Sequence, residues 1–179
     1  MVTAVVCTAF AAADDDAVFA VREAVRAAGI VLPDRPPHRP HLTLSAARVE
    51  RDAVDEVTAV ASAVAARHTP VPLLMSEVGR FGRAGALWLG PASSPALVAL
   101  QHDVTSALAQ RWPPAFGERS DPSGWVPHCT LATRVPKPQL RAVQDVVRAS
   151  FEPFPATVVG LATILVGGRG DVGYAPLTG

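Results

Sequence analysis

Cysteine, lysine and long apolar runs are scarce in this chain, and each scarcity narrows what it can be. Two cysteines in 179 residues cannot make a disulfide framework, so a reducing cytoplasm is the expected compartment. No hydrophobic stretch approaches the ~20 residues needed to cross a bilayer, so no membrane partner is expected. The apolar start, residues 1–13, lacks the basic opening of a signal peptide and runs straight into Asp14, Asp15 and Asp16; it reads as a buried strand. There is no run of five Lys or Arg, and 16 basic residues balance 16 acidic ones. Non-specific grip on a long duplex needs a basic stripe, so the balance favours a small nucleotide or an RNA end reached by a few arginines. No acidic cluster is present to hold a divalent ion, and neither a metal nor a cofactor is expected. Apolar residues make up 49% of the chain, enough to fill one compact domain or two small lobes sharing a core, expected as a monomer.

What the chain does contain is a repeat. Pro40-His41-Leu42-Thr43-Leu44 recurs as Pro127-His128-Cys129-Thr130-Leu131, in a sequence with five histidines. The flanking elements repeat as well. β-Branched residues mark a strand over Val2–Phe10, and residues 17–28 carry helical spacing, with Asp14 to Asp16 as cap and first turn. Four prolines make residues 32–40 a loop. A strand at 41–46, a helix at 50–67 and strands at Val71–Phe81 and 86–89 follow. The second half runs through a helix at 95–110 capped by Ser94, an irregular polar stretch at 111–126, and a strand at 128–133. It closes with a helix at 138–150 and strands at 157–166 and 172–177. Both halves read helix, loop, Pro-His strand, helix, strand, glycine turn, strand. Trp88 and Tyr174 hold similar places after the two histidines. A period near 87 residues fits an internal duplication making two similar lobes.

In a strand, alternate side chains share a face. His41 and Thr43 therefore point one way, as do His128 and Thr130, while Leu42, Leu44, Cys129 and Leu131 enter the lobe cores. Under a pseudo-twofold axis both His–Thr pairs face one cleft. Two opposed imidazoles suit general acid–base catalysis near neutral pH, and two hydroxyls suit the non-bridging oxygens of a phosphodiester.

Two His-x-Thr-x motifs at this separation resemble the 2H phosphoesterase superfamily, which includes 2'-5' RNA ligase-like proteins and cyclic nucleotide phosphodiesterases. The likeness spans the whole chain, 1–179, as a single domain of two intertwined lobes. It includes Leu87-Trp88-Leu89-Gly90, similar to that family's strand after the first motif. The resemblance implies a bilobal α+β fold, with two antiparallel sheets lining a central cleft and helices outside. It also implies metal-independent chemistry on 2',3'-cyclic phosphates or 2'-5' linkages, with His41 and His128 as acid and base and Thr43 and Thr130 as phosphate ligands. Which histidine is which stays open. Many relatives carry an arginine five residues after the second histidine; here Thr133 stands there and Arg134 follows, facing away if the strand alternation continues.

Other residues read as structural. Cys129 is a small core hydrophobe, and His38, His68 and His102 are solvated surface residues. Trp125 and Tyr174 either stack on a base or pack in the core. Arg80, Arg83 and Arg169 either grip a nucleotide or are turn charges. The rival readings are a non-catalytic nucleotide- or RNA-binding module with the same cleft, and a metal-dependent hydrolase.

Overall fold

Strand β1 (Val2–Phe10) opens the chain and leads into helix α1 (Ala12–Ala27). Strand β2 (Thr43–Val49) follows, then a 3-10 turn, helix α2 (Val54–Ala65), and strands β3 (Val71–Phe81) and β4 (Ala86–Pro91). Helix α3 (Pro95–Ala109), strand β5 (Cys129–Ala132), helix α4 (Lys137–Ser150), and strands β6 (Phe154–Leu165) and β7 (Gly173–Pro176) complete it. This computed structural model describes residues 1–32, 37–115 and 124–179. Parts of the expected loops at 32–40 and 111–126 thus lie outside the described residues. None of the described helices is long and apolar enough to cross a membrane.

The strands form one antiparallel seven-stranded sheet in the order β2-β1-β6-β3-β4-β5, with β7 beside β6. Read from either end, that order is unchanged when β1, β2 and β3 are exchanged for β4, β5 and β6. The helices obey the same exchange. α1 packs on β5 and α4, and α3 packs on β2 and α2. Each helix therefore crosses from the strand that feeds it to the opposite half, which intertwines the halves. The expected two sheets are two halves of one sheet, joined through β6, whose first residues pair with β3 and whose later residues pair with β1.

The hairpins break the symmetry. Met75 pairs with both Pro91 and Phe154, so β4 lies on the side of β3 away from β6. Ala162 pairs with both Cys7 and Tyr174, and Val158 with both Phe10 and Val71. β7 therefore lies on the same side of β6 as β3. The expected match of β4 with β7 fails topologically, because β4 takes the place of β1. One likeness survives. Trp88 lies over Gly79, and Tyr174 lies over Gly160, glycines whose missing Cβ leaves room for the rings.

One face of the sheet buries Val6, Phe10, Leu42, Leu44, Met75, Leu87, Leu89 and Leu131 against the helices. Full burial of each such side chain contributes about 1.5–3 kcal/mol. The opposite face of the β1 half carries small residues, Val5, Cys7, Ala9, Ala46 and Ala162. Ser94 caps α3 as expected, its Oγ accepting from Leu97 N (3.3 Å). α1 departs from the expected start. It begins at Ala12, after an Ala11 cap that makes no side-chain hydrogen bond.

Candidate active site

The two ends of the sheet path meet at one place. Leu42, just before β2, forms an isolated antiparallel bridge with Cys129, the first residue of β5. Both side chains are buried in the core. The residues on either side of them therefore face the other way, and the register sets His41 across from Thr130 and Thr43 across from His128. The four residues singled out by the repeat thus share one face at the seam between the halves, with the bridge on the pseudo-twofold axis.

The two imidazoles are held in the same way. Nδ1–H of His41 donates to the Arg39 carbonyl at 2.8 Å, and Nδ1–H of His128 donates to the Val126 carbonyl at 2.8 Å. A carbonyl can only accept, so each Nδ1 keeps its proton and Nε2 is the atom that exchanges one. Arg39 is itself fixed, donating to Phe10 O and to Asp15 Oδ2 (2.7 Å). Trp125 Nε1 donates to Thr43 O (2.9 Å), which ties the segment before the second motif to the first.

The surroundings of the two histidines differ. His128 stands edge-on to Phe81, with ring centroids 4.8 Å apart, and lies 6.3 Å from Trp88. His41 instead faces His38, 6.3 Å away and nearly perpendicular. His38 Nδ1 bonds the carbonyl of Gly170, whose N–H donates to Pro37 O, so the β6–β7 turn holds the segment before the first motif. Burial holds His41 below its ordinary value; charge on His38 and His128 pushes the same way, while the Arg39 carbonyl and Asp171 oppose. A cavity of about 220 Å³ opens beside His41 and Thr130, with Arg22, His38, Phe19 and Thr133 among its walls. His128 and Thr43 lie outside that lining.

Cys129 is buried, and burial pushes its thiol up to about 12, so it packs as a hydrophobe and is no nucleophile. β5 ends at Ala132, so strand alternation does not reach Arg134, which is exposed with a left-handed backbone (φ 59°). His38 departs from its expected place as a solvated side chain, since it is half-buried against His41. His68 likewise is engaged, with Nε2 3.0 Å from Asp103 Oδ2. Arg80 donates from Nε to Gln144 Oε1 (2.8 Å), whereas Arg83 and Arg169 are exposed. Among the described residues no group of three His, Cys, Asp or Glu side chains is placed to hold a metal ion. The residues that sequence reasoning missed are Phe81, Trp88 and His38. The signals were the aromatic beside the glycine turn, and a third histidine three residues before the first motif.

The fold recurs in solved structures at low identity. TT0787 of Thermus thermophilus shares 18% identity at a TM-score of 0.65, covering 99% of this chain and 98% of that one. A protein described as a phosphoesterase shares 17% at 0.60, covering 99% of each. LigT of E. coli, in complex with NADP+, shares 18% at 0.57, again covering 99% of each. No curated protein sequence matches the chain. The sequence profile of the 2'-5' RNA ligase superfamily, however, matches residues 13–169, which include both Pro-His-x-Thr-Leu segments. Since that match takes in most of the chain, it belongs to the 2'-5' RNA ligase superfamily.

Proposed function

We propose that the protein is a metal-independent phosphoesterase that opens 2',3'-cyclic phosphates or cleaves 2'-5' linkages by two-histidine acid–base catalysis. The observation that carries this reading is the Leu42–Cys129 bridge, which sets two His–Thr pairs on one face with both Nδ1 atoms engaged. Family membership supports phosphoester chemistry. Structures of E. coli LigT with 3'-AMP, ATP and NADP+ support nucleotides as the ligand class.

His41 is the base in the hydrolytic direction, because burial favours its neutral form. Its Nε2 takes a proton from water as the water oxygen bonds to phosphorus. The phosphorus–O3' bond breaks, and His128, protonated at Nε2, donates to O3', leaving a 2'-phosphate. The Thr43 and Thr130 hydroxyls donate to the non-bridging oxygens as charge grows there. In the reverse direction the histidines exchange tasks.

The test incubates wild type, His41→Ala and His128→Ala with 2',3'-cyclic nucleotides and a 2'-5' dinucleotide in the presence of a chelator. Wild type turns over, and each variant loses about 10²–10⁴-fold. Wild type as inert as both variants on every substrate would overturn the reading in favour of the nucleotide- or RNA-binding module. Activity that the chelator abolishes would favour a metal-dependent hydrolase.

A further inference from the structure

The symmetry of the fold leaves one position unfilled. β7 lies beside β6 where that strand has passed its pairing with β3. Among the described residues no strand lies at the equivalent edge of β3, beyond Met75. A cavity of about 440 Å³ is found there instead, within the size range of small-molecule sites.

Its walls are of two kinds. Trp88 and Phe151 supply aromatic surface, while Glu77, Gln144 and Arg148 supply an acceptor, an amide and a cation. One main-chain carbonyl at this edge is already satisfied, since Val78 O accepts from Gln144 Nε2 (2.9 Å) and Arg148 Nη2 (2.8 Å). That capping argues against an added peptide strand, which would need the carbonyl for its own ladder. The indole of Trp88 crosses Gly79, a lining residue, and its Nε1 is buried with no hydrogen-bond partner among the described residues.

Trp88 is also the link to the catalytic seam. It pairs with Thr130 across β4 and β5, and its ring lies 6.3 Å from His128. One ring thus borders both the candidate site and the cavity.

We infer that this cavity binds a second nucleoside, so that an oligonucleotide end is preferred over a free mononucleotide. The base stacks on aromatic surface from Trp88 and Phe151, and its polar edge meets Glu77, Gln144 and Arg148. The inference rests on the phosphoesterase reading for the class of ligand, but its test does not need turnover.

Binding of adenosine 2'-phosphate and of the dinucleotide ApA bearing a terminal 2'-phosphate is measured by calorimetry on wild type, Phe151→Ala and Arg148→Met. Wild type binds the dinucleotide about tenfold more tightly than the mononucleotide, as one added stacked base allows. Each variant loses that preference and keeps its affinity for the mononucleotide. Arg148 is exposed, so its variant keeps the test open if Phe151→Ala does not fold. Equal affinities in wild type, no binding of either ligand, or variants that retain the preference would overturn the inference. Equal loss of both ligands would assign these residues a structural role and overturn it too. Length preference without turnover would sink the catalytic reading alone, and turnover of cyclic mononucleotides without length preference would sink the second site alone.

Discussion

Replacing Gly79 by alanine tests whether the Trp88 indole is laid across the strand as described. An added Cβ would stand 2.1 Å from Cζ2, 2.2 Å from Cη2 and 2.5 Å from Cε2 of that ring. Ordinary contact begins near 3.4 Å, so the ring must lift by about 1.3 Å (3.4 less 2.1). Neighbouring rings crowd that movement, because Trp88 packs on Phe81 (centroids 5.4 Å apart) and approaches His128. Overpacking of this kind costs about 1–3 kcal/mol. In a Trp88→Ala background the obstruction is gone, and Gly79→Ala becomes favourable by about 0.5–1 kcal/mol, since glycine in a strand interior carries excess entropy. The two substitutions are therefore coupled by about 1.5–4 kcal/mol, a value for contacting residues that a double-mutant cycle resolves. Urea unfolding of the four proteins, followed by far-ultraviolet circular dichroism, gives each free energy. If Gly79→Ala costs the same with and without Trp88, the indole does not occupy the space above Gly79, and the link between the seam and the second cavity is lost with it.

Three further outcomes follow from the site. With His41 as base, kcat/KM falls on acidification as that imidazole gains its proton. Burial lowers its value, so the acid limb lies below the ordinary 6.5; a limb at or above 6.5 in a rate–pH profile would contradict the assignment. The same shift makes protonation destabilise the fold, so His41 contributes a loss of stability as pH falls below about 6.5. Thr43→Val and Thr130→Val keep side-chain shape and remove one donor each; kcat drops, by up to about 10²–10³-fold, with KM moving less. Steady-state kinetics that show a raised KM at unchanged kcat would make these threonines ground-state binders only.

The candidate site was legible because it obeys a local rule. Period-two alternation sorted His and Thr from Leu and Cys, and the buried Leu42 and Cys129 follow that sorting. What was not legible depends on pairings remote in sequence. Asp14 and Asp15 read as helix-capping residues, yet Asp14 Oδ2 accepts from Thr157 N (2.7 Å) and Asp15 binds Arg39. Tertiary contacts had claimed those carboxylates, so the helix starts earlier without them. The likeness of the two glycine turns was real at the level of an aromatic over a glycine, but it misled about topology, since a hairpin can grow from either edge of a strand. His38 looked like a loop residue because Gly170, more than a hundred residues on, holds it near His41. Trp88 acquires its meaning from Gly79 and Gly90, whose hydrogens leave room for the ring.

The bridge between Leu42 and Cys129 also makes the proposed reaction a gauge of whether the sheet has closed. The two histidines stand just before the outermost strands of the path, on either side of the point where its ends touch. Parting those ends by one strand spacing, about 4.8 Å, would leave every helix and nearly every ladder in place, yet carry one imidazole out of reach of a phosphate held by the other. Turnover is then lost while the spectroscopic signature of the fold persists, and mild denaturant or heat silences the protein before it unfolds.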